Sequence, residues 1–162
     1  QVWSSKPERE GTAMDEGQFE PRLFDMLTVA HRVIGRSLQA QLESEEGVTI
    51  DQWRTLRTLS SESGRTMGEL VDRLQIPAAS LTRLVDGLVD RSLVFRHAGP
   101  VDRRRIEVFL SGSGAALQLR LEELARLHER RYRLAPGLPV SELIDALGAI
   151  VTVDPAHPVS YG

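Results

Sequence analysis

The sequence predicts a mainly α-helical fold with one small β-hairpin, and two patterns of apolar residues support this prediction. Through most of the chain, apolar residues recur at intervals of three and four, as on the buried face of a helix. The interval changes to two at Ile106, Val108 and Leu110, which is typical of a strand with one buried face. The apolar run 93–95 supplies a partner strand, and a Gly-Pro pair between the two runs indicates a turn.

Residues 19–43 are predicted to form a long first helix. Its apolar seam advances in steps of three and four, and consists of Phe24, Leu27, His31, Ile34 and Leu38. Further apolar neighbours widen this stripe, so we expect two partners for it, one within the fold and one in another subunit. His31 is interpreted either as a packed, hydrogen-bonded core histidine or as a group that binds a ligand or senses protons.

A capping box predicts the start of a second helix, because the Thr49 hydroxyl can accept from the third amide and Gln52 can reach back. The apolar face of this helix continues to about residue 61, and residues 63–65 are predicted to form a loop. Trp53 on this face is interpreted as a core residue, or as the lining of a pocket between the first two helices. Leu56 lies on the same face.

Two shorter helices follow, separated by a tight break. Thr66 and Glu69 form a second capping box, residues 75–77 end that helix, and Pro77 suits the first turn of the next one. The fourth helix has an apolar stripe formed by Leu81, Leu84, Val85, Leu88 and Val89. Two short helices, a break and a hairpin predict a winged helix-turn-helix over residues 48–111, a motif whose second helix enters the major groove of DNA.

The polar face of the fourth helix suits DNA only in its N-terminal half. Small residues at Ala78 and Ala79 allow close approach, Ser80 can donate or accept, and Arg83 can bind a guanine edge with two hydrogen bonds. Acidic residues follow later on this face, where they would repel phosphate. By itself this pattern fits an ordinary surface helix equally well, and it is the adjoining arginine-rich loop that favours DNA.

The distribution of charge agrees with this interpretation better than the total does. The chain has 162 residues and a formal net charge of −3. Residues 54–105 contain ten arginines and six acids, a net charge of +4, so the rest of the chain carries −7. One basic segment in an acidic frame is expected if only one face meets phosphate.

Several function classes are excluded by composition. The chain has no cysteine, which excludes disulfides, thiolate zinc sites and thiol-based redox sensing. Its four histidines show no metal-ligand spacing and none is tied to a carboxylate pair, so we expect no enzyme activity, no metal and no cofactor. No apolar run approaches the ~18 residues of a membrane span. We therefore expect a cytoplasmic protein.

The C-terminal third predicts two more helices. Residues 111–114 offer a cap and a turn, a helix runs from 115 to about 134, and a last helix spans 139–153. The terminal helices carry more apolar surface than the winged helix-turn-helix can cover, so helices 19–43 and 115–153 are predicted to form a homodimer. Such a dimer would present two reading helices ~34–36 Å apart to a pseudo-palindrome.

The domain organisation follows from these elements. Residues 18–153 are predicted to form a single domain, with the winged helix-turn-helix flanked by the dimerisation helices. Residues 1–17 are interpreted as a disordered lead or a non-native addition, with Met14 as an alternative natural start, and residues 154–162 as a tail.

The wing segment resembles the MarR family of bacterial transcription regulators. Asp102-Arg103-Arg104, followed by Val108, Leu110, Ser111 and Gly114, resembles the family's wing signature of D-R-R, then V-x-L-T, then G. Residues 81–88 resemble its recognition helix. The chain departs from the family at Ser111, where the usual residue is threonine, and at Ser92, which replaces a glycine before the first wing strand.

The resemblance implies a homodimer that binds operator DNA and usually represses. It also implies that Arg104 and Arg103 enter the minor groove with Asp102 as their orienting partner, since a narrow minor groove attracts arginine. A small aromatic or phenolic effector would bind near His31, Trp53 and Leu56. The candidate DNA-contacting residues are Thr66, Ala78, Ala79, Ser80, Thr82, Arg83, Asp102, Arg103 and Arg104. The alternative is a winged-helix module that binds protein rather than DNA, although such a module would not need three consecutive arginines.

Overall fold

A computed structural model of the chain describes residues 22–60, 63–98 and 106–153. The described residues form α1 (Leu23–Glu46), α2 (Ile50–Thr58), β1 (Arg65–Thr66), α3 (Met67–Leu74), α4 (Ala78–Asp90), β2 (Val94–Ala98), β3 (Ile106–Leu110), α5 (Gly112–Arg133) and α6 (Val140–Val153). The predicted mainly α fold with a small hairpin is confirmed. The predictions for residues 1–17 and 154–162 lie outside the described residues.

The winged helix-turn-helix packs with α1 and α5 around one apolar core. Both predicted capping boxes are present: the Thr49 hydroxyl accepts from the Gln52 amide at 3.2 Å, and the Thr66 hydroxyl accepts from the Glu69 amide at 3.2 Å. Each cap satisfies amides that the first turn leaves without partners, and is worth about 1 kcal/mol. The buried apolar residues are Leu42, Val48, Leu56, Leu59, Leu70, Leu74, Ile76, Leu81, Val85, Leu88, Leu93, Val94, Val108, Leu117 and Leu121.

The sheet has three antiparallel strands in the order β1-β3-β2. The hairpin register pairs Phe95 with Phe109 and Arg96 with Val108. β1 was not predicted, since residues 63–65 are expected from sequence to be a loop. Two residues are too few to show a strand period, and β1 is recognised only through its pairing with β3.

Helix α5 begins earlier than predicted. Residues 112–114 belong to its first turn, because the Ser111 hydroxyl accepts from the Gly114 amide at 2.9 Å and caps the helix. Gly114 is required for packing and not for a turn, since a Cβ at this position would overlap the Leu93 carbonyl oxygen. Helix α1 likewise extends through Glu46, which the sequence places in a polar link.

Ser92 has a left-handed backbone conformation, with φ of 56°. A side chain in this region costs about 1–2 kcal/mol, and glycine avoids that cost while losing part of the gain to chain entropy. Ser92→Gly is therefore expected to raise the free energy of unfolding by about 0.5–1 kcal/mol in urea denaturation. The Ser92 carbonyl, which accepts from the Ser111 and Ser113 hydroxyls, is retained in this variant. A lower urea midpoint for Ser92→Gly than for the native protein would show that the backbone at Ser92 is not strained.

Among the described histidines, the buried one is His128 and not His31. His31 is exposed on α1, so its interpretation as a core histidine is wrong within one chain. His128 on α5 is 3% exposed and its Nε2 lies 3.0 Å from the Ser37 hydroxyl on α1. Burial, and then the positive charge of Arg131, lower the pKa of His128.

This lowered pKa predicts an acid-dependent loss of stability. The unfolded chain takes up a proton near the ordinary histidine pKa of about 6.5, while the folded chain takes it up at lower pH. Stability is therefore full above about pH 6.5 and falls as the pH drops through the folded pKa of His128. We expect the thermal midpoint to fall from pH 7.5 to pH 5.5, and His128→Gln to fall less. An equal fall of the thermal midpoint in the two proteins would show that His128 does not cause the loss of stability.

The two terminal helices leave much apolar surface uncovered in one chain. Phe24 on α1 is 77% exposed, and Leu143, Ile144 and Ile150 on α6 are all exposed. Large apolar side chains left exposed along two helices of a single chain indicate a protein-interaction surface. The described residues thus agree with the predicted excess of apolar surface on α1 and α6.

Candidate nucleic-acid interface

The N-terminal half of α4 is an exposed, uncapped helix end. Ala78, Ala79 and Ser80 are exposed, and no side chain caps the first turn. Pro77 stands at the N-cap position, one residue before the place predicted for it, and no acidic residue lies in the first turn. The free amides and the positive end of the helix dipole therefore suit a phosphate.

The next turn of α4 presents two polar side chains with different hydrogen-bonding capacity. The Thr82 hydroxyl donates to the Ala78 carbonyl at 2.9 Å, so it keeps only an acceptor and a methyl group for a base edge. Arg83 is exposed, and no ion pair joins it to another described residue. Its guanidinium thus remains available for a guanine edge or a phosphate.

The second half of α4 is joined to the wing by an ion pair that sequence reasoning missed. Arg96 Nη2 on β2 lies 2.6 Å from Asp86 Oδ1 on α4. Both groups are partly exposed, so the pair adds less than about 1 kcal/mol to stability. Its effect is on geometry and charge: it ties β2 to α4 and offsets a carboxylate on α4. No spacing rule links residues ten apart, so no sequence signal could have found this pair.

Of the remaining predicted DNA-contacting residues, the structure describes Thr66 but not the wing residues. Thr66 is half-buried, and its hydroxyl donates to Glu69 Oε2 at 2.8 Å while accepting from the Glu69 amide. This hydroxyl is therefore occupied by the cap. Asp102, Arg103 and Arg104 lie outside the described residues. The two strands that carry this segment, β2 and β3, are described up to Ala98 and from Ile106.

The three predicted effector residues occupy different environments. Leu56 is fully buried and Trp53 packs against the same core cluster, whereas exposed His31 does not belong to it. The Trp53 indole Nε1 is buried without a hydrogen-bond partner among the described residues. The Arg57 guanidinium lies 5.8 Å from the Trp53 ring centroid, as in a cation–π contact.

No group of three or more potential metal ligands lies together within residues 22–60, 63–98 and 106–153. None of the helices described there is both long and apolar enough to cross a membrane.

The chain is similar to known regulators in sequence and in structure. The MarR family model matches residues 46–105. An uncharacterized HTH-type transcriptional regulator from Mycobacterium leprae is 34% identical over 98 residues, which are 60% of this chain and 68% of the relative.

Two solved structures share the fold. The apo form of MarR from E. coli is 25% identical, with a TM-score of 0.68 over 80% of this chain and 97% of that one. The regulator BldR from Sulfolobus solfataricus is 23% identical, with a TM-score of 0.73 over 81% of this chain and 93% of that one. The chain belongs to the MarR family and is a DNA-binding transcriptional regulator, not an enzyme.

Proposed function

We propose that residues 18–153 act as one domain that binds a pseudo-palindromic operator as a homodimer and represses transcription in the cytoplasm. The observation that carries this proposal is the exposed N-terminal half of α4, where Arg83 has no ion-pair partner among the described residues of a winged-helix frame. The uncovered apolar residues of α1 and α6 support the dimer. MarR, a solved relative at 25% identity, is described as a multiple antibiotic resistance repressor, which supports repression.

Selection of bound sequences from random duplexes tests this function directly. We expect an enriched inverted repeat with half-sites about one helical turn apart, because twofold symmetry places two copies of α4 on one face of DNA. Binding to the selected duplex should weaken steeply as salt rises, through release of counterions. Enrichment of no sequence, or affinity that is independent of salt, would leave the protein-binding module as the better function.

We further propose that a small aromatic or phenolic compound regulates this binding from a site beside Trp53 and Leu56. Buried polar groups without partners are uncommon. Trp53 Nε1 and Gln41 Oε1 have no hydrogen-bond partner in the described part of the chain, and they lie on the neighbouring helices α2 and α1. An indole N–H can donate to a phenol or carboxylate oxygen. His31 lies further from the core on α1 and is the weakest member of the predicted set.

A hydroxybenzoate titration tests the effector proposal. The compound should raise the thermal midpoint of the protein and lower its affinity for the selected duplex, since a ligand of one state shifts the population toward that state. Trp53→Phe keeps the ring area but removes the N–H donor, and should weaken both effects. Unchanged responses in this variant would place the compound elsewhere.

A further inference from the structure

The outer face of the wing sheet carries an aromatic cluster. Phe95 on β2 and Phe109 on β3 are directly opposite in the register, and their rings stack with centroids 5.5 Å apart and an angle of 13°. His97 meets the Phe109 ring edge-on at 6.2 Å. Phe95 is 48% exposed, so this stack is not part of the core. Cross-strand aromatic pairs of this kind hold a hairpin in one register.

Phe109 also contacts the backbone that leads into β1. A Cβ built on Gly64 would overlap the Phe109 ring, so the ring lies directly against this glycine. Phe109 therefore joins all three strands on the outer face: β3 through its own backbone, β2 through Phe95, and the start of β1 through Gly64. Glycine at position 64 is explained by this close approach.

The inner face of the same hairpin is held by α4. Strand alternation places Arg96 and Val108 opposite to Phe95 and Phe109, and the Arg96–Asp86 ion pair binds this face to the DNA-reading helix. The stack lies three register steps from Ala98 and Ile106, the strand ends that border the arginine-bearing segment. At about 3.3 Å per residue, these strand ends lie roughly 10 Å from the stack.

We propose that Phe109 is a positioning residue for DNA binding. Its ring is packed between Phe95 and Gly64, and it sets the angle between the β2–β3 hairpin and α4. The inference rests on the proposed function, because the wing needs a defined angle only if its arginines must reach DNA. A methyl group at position 64 would displace the Phe109 ring, and the hairpin would then rotate about the Arg96–Asp86 contact on its inner face. We expect the wing arginines then to lose their contacts in and beside the minor groove while α4 keeps its own contacts.

A double-mutant cycle in the full chain tests this role. Gly64→Ala changes no charge, but its methyl group displaces the Phe109 ring. We expect it to weaken binding to the selected duplex at least about tenfold and to lower the salt slope by about 1–2, since each lost phosphate contact contributes about 0.9. Hydroxyl-radical footprinting should show lost minor-groove protection, and dimethyl sulfate footprinting of guanine N7 should show retained major-groove protection. Phe109→Leu should have the same effects because the shorter side chain no longer fixes the angle.

The combined variant separates positioning from general damage. In the Phe109→Leu background, Gly64→Ala should cost nothing more, because the ring that it displaces is absent. Ile106→Ala is the matched control: it removes an exposed apolar side chain from the same strand, on the opposite face, and should change affinity less than about twofold.

Three results would overturn the role of Phe109. They are unchanged DNA binding in Gly64→Ala, additive losses in the double variant, and an equal loss of major-groove and minor-groove protection. Wild-type protein that binds no DNA in the same titration would instead refute the proposed function, so the two failures are distinguishable.

Discussion

A chain that ends at Gly137 is expected to sediment as a monomer and to bind its operator at least about a hundredfold more weakly than the full chain. Removing α6 deletes an apolar face of Leu143, Ile144 and Ile150 that one chain leaves uncovered. Two linked half-site contacts raise overall affinity by roughly 10²–10⁴, and a monomer loses that gain. The measurements are sedimentation velocity and a gel-shift titration at fixed salt.

A full-length variant removes the ambiguity of a truncation. Ile144→Asp places a charge in the centre of this apolar face, and should also give a monomer, because an unpaired buried charge costs several kcal/mol. Ser141→Asp is the matched control, since it adds the same charge on the polar side of the first turn of α6. A folded dimer for Ile144→Asp would assign the dimer interface to another surface.

Replacing Arg83 by alanine is expected to cost about 1–3 kcal/mol of operator binding, or roughly 5–150-fold. Arg83 is exposed on the first half of α4 and pairs with no other described residue, so its guanidinium can reach the DNA. A bidentate contact with a guanine edge would also set the preference at one base position. Repeating the duplex selection with the variant measures both effects, and that position should become relaxed.

One control variant and two possible outcomes define what Arg83 contacts. Arg36→Ala removes one positive charge from the side of α1 opposite to its apolar seam, and should change affinity only slightly. Uniform weakening across all sequences, with a salt slope lower by about 1, would assign Arg83 to a phosphate. Affinity within twofold of the native value would exclude Arg83 from the interface.

Local patterns in the sequence predicted most of the architecture. Capping boxes at Thr49 and Thr66 act over three residues, and the apolar stripe of α4 acts over single helical turns, so both can be recognised without tertiary information. The exposed face of α4 followed from the same period, which is why Ser80 and Arg83 could be predicted as surface residues. The wing signature then supplied the family.

Tertiary packing decided what these short-range patterns do not encode. The Arg96–Asp86 ion pair spans ten residues, Phe109 contacts Gly64 from another strand, and His128 meets Ser37 across ninety-one positions. Such contacts depend on how whole elements pack, and any of many residues could have supplied each partner. The amino-acid sequence by itself thus determined the helices and their buried and exposed faces. The folded chain alone determined which histidine is buried and how the wing is held.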